Sequence, residues 1–247
     1  MNKLYLTIGL GLAMLLPVFA EESTPANMKL FLLIGQSNMA GRGKVEPQDQ
    51  VVNPKIFMLT KDLKWVPAKD PLHFDKPSAG VGLGSEFARD VLKADPTATI
   101  GLIPCAVGGT SLDQWKAGGG LYNTAVQRAK EAMKNGKLAG ILWHQGESDS
   151  GNPQNVATYA NRLEIMIAQL RTDLQADKVP VVLGELIHDF KTNGAINIEL
   201  TAASKKIPFC TLVSSEGLGN KALHFESPDL RTFGHRYAVE YLKLFKP

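Results

Sequence analysis

Four short stretches of this 247-residue chain hold side chains of the kind that do chemistry: Gly35 to Asn38 ("GQSN"), Val107 to Ser111 ("VGGTS"), His144 to Asp149 ("HQGESD") and His224 within "ALHFES". A serine hydroxyl is a weak nucleophile near neutral pH and needs a base within about 2.6–3.2 Å to take its proton. His224 acting on Ser37 fills those two roles. The tetrahedral intermediate that follows carries an oxyanion, and each preorganised donor aimed at it is worth about 2.7–4 kcal/mol of barrier. A glycine of the Gly108-Gly109 turn offers an unobstructed N–H, Gln145 a side-chain amide, and Ser37 its own backbone N–H. Nucleophile, base, turn N–H and amide are the parts needed for acyl transfer.

Each residue also has a plainer use. Ser37 could cap a following helix through its hydroxyl, Gly108-Gly109 could be only a tight turn, and Gln145 could bond backbone inside the core. The company of the other blocks favours catalysis for Ser37. His144, inside a buried edge block, reads as a structural group, as does His235 near the end of the chain. His73 and His188 have no motif around them and default to surface or loop.

Something must bring these blocks together. Apolar runs rich in branched residues recur at Lys29 to Gly35, Thr99 to Ala106, Ala139 to Trp143, Val179 to Leu186 and Cys210 to Ser215. Nearly continuous apolarity suits strands buried on both faces of a parallel sheet. Between them, Val156, Ala160, Leu163, Ile167, Leu170 and Leu174 recur at helical spacing, as do Leu230, Phe233, Tyr237, Tyr241 and Phe245. Strands alternating with helices predict an α/β sandwich with a mainly parallel five-stranded sheet and right-handed crossovers. In such sheets ligands collect at the carboxyl ends of the strands, where the first three blocks fall.

The remaining composition bounds the surroundings. "MNKLYLTIGLGLAMLLPVFAEES" has one lysine, a short apolar stretch and Val18-Phe19-Ala20 before two glutamates, the layout of a secretory signal cleaved after Ala20. Residues 1–20 are therefore read as a signal and residues 21–247 as one domain, secreted or periplasmic, with no membrane association after cleavage. The charge of +3, or +2 once Lys3 is removed, implies no surface for nucleic acid. Cys105 and Cys210 lie in interior runs and read as two buried thiols, although one bridge is possible outside the cell. Four-ligand spacing is absent and the five histidines are scattered, so no metal is expected.

"GQSNMAG", "AVGGTSLDQW", "HQGESD" and a histidine followed by "RTFGHRYA" resemble the SGNH hydrolases, in particular the sialate O-acetylesterase-like group that includes acetyl xylan esterases of carbohydrate esterase family six. The resemblance runs from about Met28 to Leu244. It implies a flavodoxin-like three-layer α/β/α fold and removal of acetyl groups from sugar hydroxyls, without metal or other cofactor. It further implies Ser37 as nucleophile, His224 as base, Gly109 as the second-block glycine with Gly108 its close competitor, and Gln145 where other members place an asparagine.

One position departs from that pattern. Where the family generally has an aspartate three residues before the histidine, this chain has Lys221. Loss of the acid that orients the imidazole can cost about 10⁴ in rate. Glu147 is the first candidate to replace it and Glu216 the second; a backbone carbonyl could serve instead, or the chain could be a weakened relative that binds acetylated sugar. For the substrate, Trp115 could stack on a sugar ring or pack beneath its loop, and Arg42 could contact a polar group or pair with Glu147. The long irregular segment from Lys44 to Gly84 is the place to look for acceptor specificity.

Overall fold

The structure, a computed structural model, describes Met1 and residues 25–220 and 222–244. The cleavage site read after Ala20, the rest of the signal segment, Lys221 and Phe245 lie outside the described residues.

Each apolar run forms a strand, and the order of the sheet explains how the blocks meet. The chain runs through β1 (Met28–Gly35), α1 (Ser37–Ala40), β2 (Ile56–Leu59), β3 (Trp65–Pro67), α2 (Gly84–Ala94) and β4 (Ile100–Pro104). It continues through α3 (Gly120–Ala132), β5 (Gly136–His144), α4 (Pro153–Asp173), β6 (Val181–Gly184), α5 (Asn193–Lys206), β7 (Cys210–Val213) and α6 (Ser227–Leu244). The seven strands lie in the order β3-β2-β4-β1-β5-β6-β7, all parallel except β3.

The sheet is two strands wider than the five apolar runs predict. Both extra strands come from the segment read as irregular: β2 is only four residues long and partly exposed, and β3 pairs with it as an antiparallel edge. β2 is apolar throughout, Ile56-Phe57-Met58-Leu59, but its four residues lie among prolines and charges in the long segment, and β3 at the edge has only three residues.

Alternation along β1 divides the core. Leu30, Leu32 and Ile34 pack on the face covered by α3, α4 and α5, in company with Trp115, Trp143, Tyr159 and Leu163. Phe31 and Leu33 pack on the other face with Phe87 of α2 and Phe233, Tyr237 and Tyr241 of α6. Burying each such side chain contributes about 1.5–3 kcal/mol. The helical spacings are real faces: Leu163, Ile167 and Leu170 of α4 and Leu230, Phe233, Tyr237 and Tyr241 of α6 are inaccessible or nearly so.

The two cysteines are free thiols, partly buried. Cys105 follows β4 and Cys210 opens β7, four strand positions apart, or about 19 Å at the usual strand spacing. A disulfide needs its Cα atoms within about 7 Å. Burial pushes the Cys105 thiol up to about 11 and the Cys210 thiol up to about 12.

Candidate active site

The sequence order reverses at β1: β4 and β2 lie on one side of it, and β5 to β7 on the other. A crevice opens at the carboxyl end of the sheet at such a switch point. Gly35, the last residue of β1, makes the turn at φ +134°, and a Cβ there would lie 2.0 Å from the carbonyl oxygen of His144 on β5. No other residue fits between these two strands, so the next residues are delivered to the open edge.

There Ser37 begins α1, 5 % exposed, with its Oγ 3.0 Å from Nε2 of His224. The two are 187 positions apart in sequence. They line a cleft of about 610 Å³ together with Gln36, Arg42, Gly109 and Glu147, within the range of small-ligand pockets.

Asn38 holds the histidine's segment in place. Its Nδ2 donates to the carbonyl of Leu223 at 3.1 Å, and its Oδ1 accepts from the N–H of Phe225 at 3.2 Å, so one buried side chain grips both neighbours of His224. The same Nδ2 donates to Oε1 of Glu147 at 2.6 Å. Glu147 thus meets the segment carrying His224 only through Asn38, and Nδ1 of His224 has no carboxylate or carbonyl partner among the described residues. Glu216, the second candidate acid, donates only its backbone N–H, to Ser214. His224 titrates below the usual histidine range, first because it is half buried and then because Arg42 and Lys76 are cationic neighbours; the Glu147 charge opposes them.

The glycine turn resolves into two jobs. The N–H of Gly108 donates to Asp75 at 2.8 Å. Gly109, at φ +81°, lines the cleft with no acceptor for its N–H among the described residues. The backbone N–H of Ser37 is likewise without one.

Two expected site residues stand elsewhere. Gln145 is fully buried, and its Nε2 faces three acceptors: Gln36 Oε1 at 3.1 Å, the Thr110 carbonyl at 2.9 Å and Asp149 Oδ2 at 2.8 Å. Its Oε1 accepts from Tyr159 at 2.9 Å. With two N–H hydrogens and three acceptors already around them, Gln145 has no donor left for an oxyanion. The amide that lines the cleft is Gln36, whose Oε1 accepts from Gln145 and from the N–H of Ser148 at 3.3 Å, which leaves its Nε2 without an acceptor among the described residues. Trp115 is 1 % exposed, bonded to Thr110 at 3.0 Å and packed edge-on against Trp143, so it supports the second block from below and offers no face to a sugar.

Arg42 lines the cleft but pairs with Asp75 at 2.6 Å, not with Glu147. His144 is buried against the rings of Phe225 and Phe233, with Nε2 3.1 Å from the Glu185 carbonyl. His235 ties α6 to Asp90 of α2, and His188 is an exposed partner of Glu185. His73 lies in a loop yet is buried, with neither ring nitrogen hydrogen-bonded. Sequence reading missed Asp75 altogether: it lies in the long segment, in no block, and nothing but folding brings it to Gly108.

Residues 27–243 match the family described as carbohydrate esterase, sialic acid-specific acetylesterase. The chain belongs to that carbohydrate esterase family. Within it, the chain is 38 % identical over 183 residues to a probable carbohydrate esterase of Arabidopsis thaliana, covering 66 % of this chain and 70 % of that one. An X-ray structure of an Arabidopsis thaliana protein superposes with a TM-score of 0.81 at 32 % identity, over 90 % of this chain and 100 % of that chain. A carbohydrate acetylesterase from Xanthomonas citri shares the fold, with a TM-score of 0.68 at 18 % identity over 87 % of this chain and 56 % of that chain.

Proposed function

We propose that this carbohydrate esterase is an exported serine enzyme that removes O-acetyl groups from sugar hydroxyls through an acetyl-serine intermediate. The observation that carries the reading is the 3.0 Å approach of His224 Nε2 to Ser37 Oγ at the wall of the cleft. Ser37 Oγ attacks the acetyl carbonyl while His224 takes its proton. The oxyanion that forms is met by the N–H groups of Ser37 and Gly109, with the Gln36 amide as the side-chain donor. Collapse breaks the bond to the sugar oxygen, which leaves with the proton held by His224. Water then attacks the acetyl-serine, giving its proton to His224; acetate departs and Ser37 recovers its proton. A depressed histidine pKa keeps the base neutral, as this sequence requires.

The open Nδ1 of His224 favours a second reading, a family member that binds acetylated sugar and turns it over poorly. Acetate release from acetylated xylan and from a small aryl acetate decides between them. Hydrolysis that Ser37→Ala lowers by at least about 10³-fold is expected. A folded wild-type protein no faster than Ser37→Ala on both substrates would leave binding alone.

A further inference from the structure

We propose that Asp75 is a positioning residue for this reaction: it fixes the Gly108-Gly109 turn so that the Gly109 N–H faces the carbonyl oxygen of the acetyl group attacked by Ser37. The proposal rests on the esterase reading above.

Asp75 comes from the loop between β3 and α2, and its side chain is 1 % exposed. Its Oδ2 accepts two hydrogen bonds, from the Gly108 N–H at 2.8 Å and from Arg42 Nη2 at 2.6 Å, and Oδ1 takes Arg42 Nη1 at 3.4 Å. Arg42 Nη1 also donates to the Gly41 carbonyl at 2.7 Å. One carboxylate therefore joins the loop after the nucleophile, the long loop and the glycine turn. The packing leaves no slack: a Cβ on Gly108 would lie 2.4 Å from Arg42 Nη2, 3.1 Å from Asp75 Oδ2 and 3.3 Å from the Cβ of Ser37. Asp75 does not itself line the cleft, whereas Arg42, Gly108 and Gly109 do. By occupying the Gly108 N–H it selects Gly109 as the turn's free donor. A donor to an oxyanion works by being fixed in advance, and a shift of about 1 Å can cost about 10²-fold in rate.

Two conservative variants separate position from charge. Asp75→Asn keeps an acceptor oxygen in place and loses the charge; Asp75→Glu keeps the charge and moves the oxygen by one methylene. With aryl acetate, Asp75→Glu and Asp75→Ala are expected to lose about 10–100-fold in kcat with KM within about twofold, while Asp75→Asn stays well above both. In the full chain, the Gly108 amide proton resonance should move upfield in Asp75→Ala and stay downfield in Asp75→Asn. The proposal is overturned if Asp75→Glu is as active as Asp75→Asn, if the loss lies in KM alone, or if kcat is unchanged where the Gly108 resonance has moved. The Glu and Asn pair decides the matter even where Asp75→Ala does not fold. A wild-type protein no faster than Ser37→Ala would overturn the esterase reading and this role together; failure confined to the Asp75 variants overturns only the role.

Discussion

Nδ2 of Asn38 lies 2.6 Å from Oε1 of Glu147, and through Asn38 that carboxylate is linked to both residues flanking the candidate base. In the usual triad a carboxylate bonds the imidazole directly and stabilises its cation. Here the Glu147 charge raises the His224 pKa through space, and its carboxylate meets the histidine's segment only through Asn38.

This arrangement predicts opposite pH shifts for two variants. His224 must be neutral to accept the serine proton, so kcat/KM falls as pH drops through its pKa. The Glu147 charge raises that pKa and the Lys76 charge lowers it. Glu147→Gln should therefore move the acid limb of the profile to lower pH, and Lys76→Met should move it higher. Glu147→Gln should also cost about one to two orders of magnitude in kcat, because the imidazolium loses a counter-charge. A profile that stays put in both would separate Glu147 from the base.

The two glutamines should differ in how they fail. Gln36→Leu is expected to lower kcat by about 10²-fold or more with KM little changed, since its Nε2 is the amide available at the cleft. Gln145→Leu removes the amide shared by the Thr110 carbonyl, Gln36 Oε1 and Asp149 Oδ2, and should destabilise the fold by about 1–3 kcal/mol for each buried group left unpaired, the Thr110 carbonyl first. Steady-state kinetics alongside urea unfolding checks this. A Gln145 variant of normal stability and 10²-fold lower kcat would reverse the assignment.

His73 predicts an acid weakness of the fold. Burial, with Arg42 and Arg128 adding to it and Asp75 opposing, pushes this histidine down to about 3. The unfolded chain takes up the proton near pH 6.5 and the native protein does not until about pH 3, so stability is lost as pH falls through that window, at about 1.4 kcal/mol per pH unit. Urea unfolding at pH 7, 5 and 4 should show a shallower decline for His73→Phe than for the wild-type protein. Parallel declines would assign the acid sensitivity to other groups.

The sequence by itself determined the parallel core of the sheet and the polar blocks that gather at its open edge. Strands buried on both faces must be apolar, so β1, β4, β5 and β6 are visible as runs, as is the largely apolar edge strand β7, and abrupt polar blocks after β1, β4 and β5 mark the open edge. β2 is a run of only four apolar residues inside a long polar segment and β3 one of three, so neither stands out from its surroundings. Only the tertiary structure decided which side chains at that edge are free. Gln36 and Gln145 are both amides beside glycines, and the difference between them is a buried network contributed by Thr110, Asp149 and Tyr159. Asp75 is 33 positions from both Arg42 and Gly108, and Glu147 meets Asn38 across 109. Strand burial is written locally, in the polarity of neighbouring residues; hydrogen-bond partners across loops are set by where the packed sheet brings each loop, and no spacing in the chain encodes that.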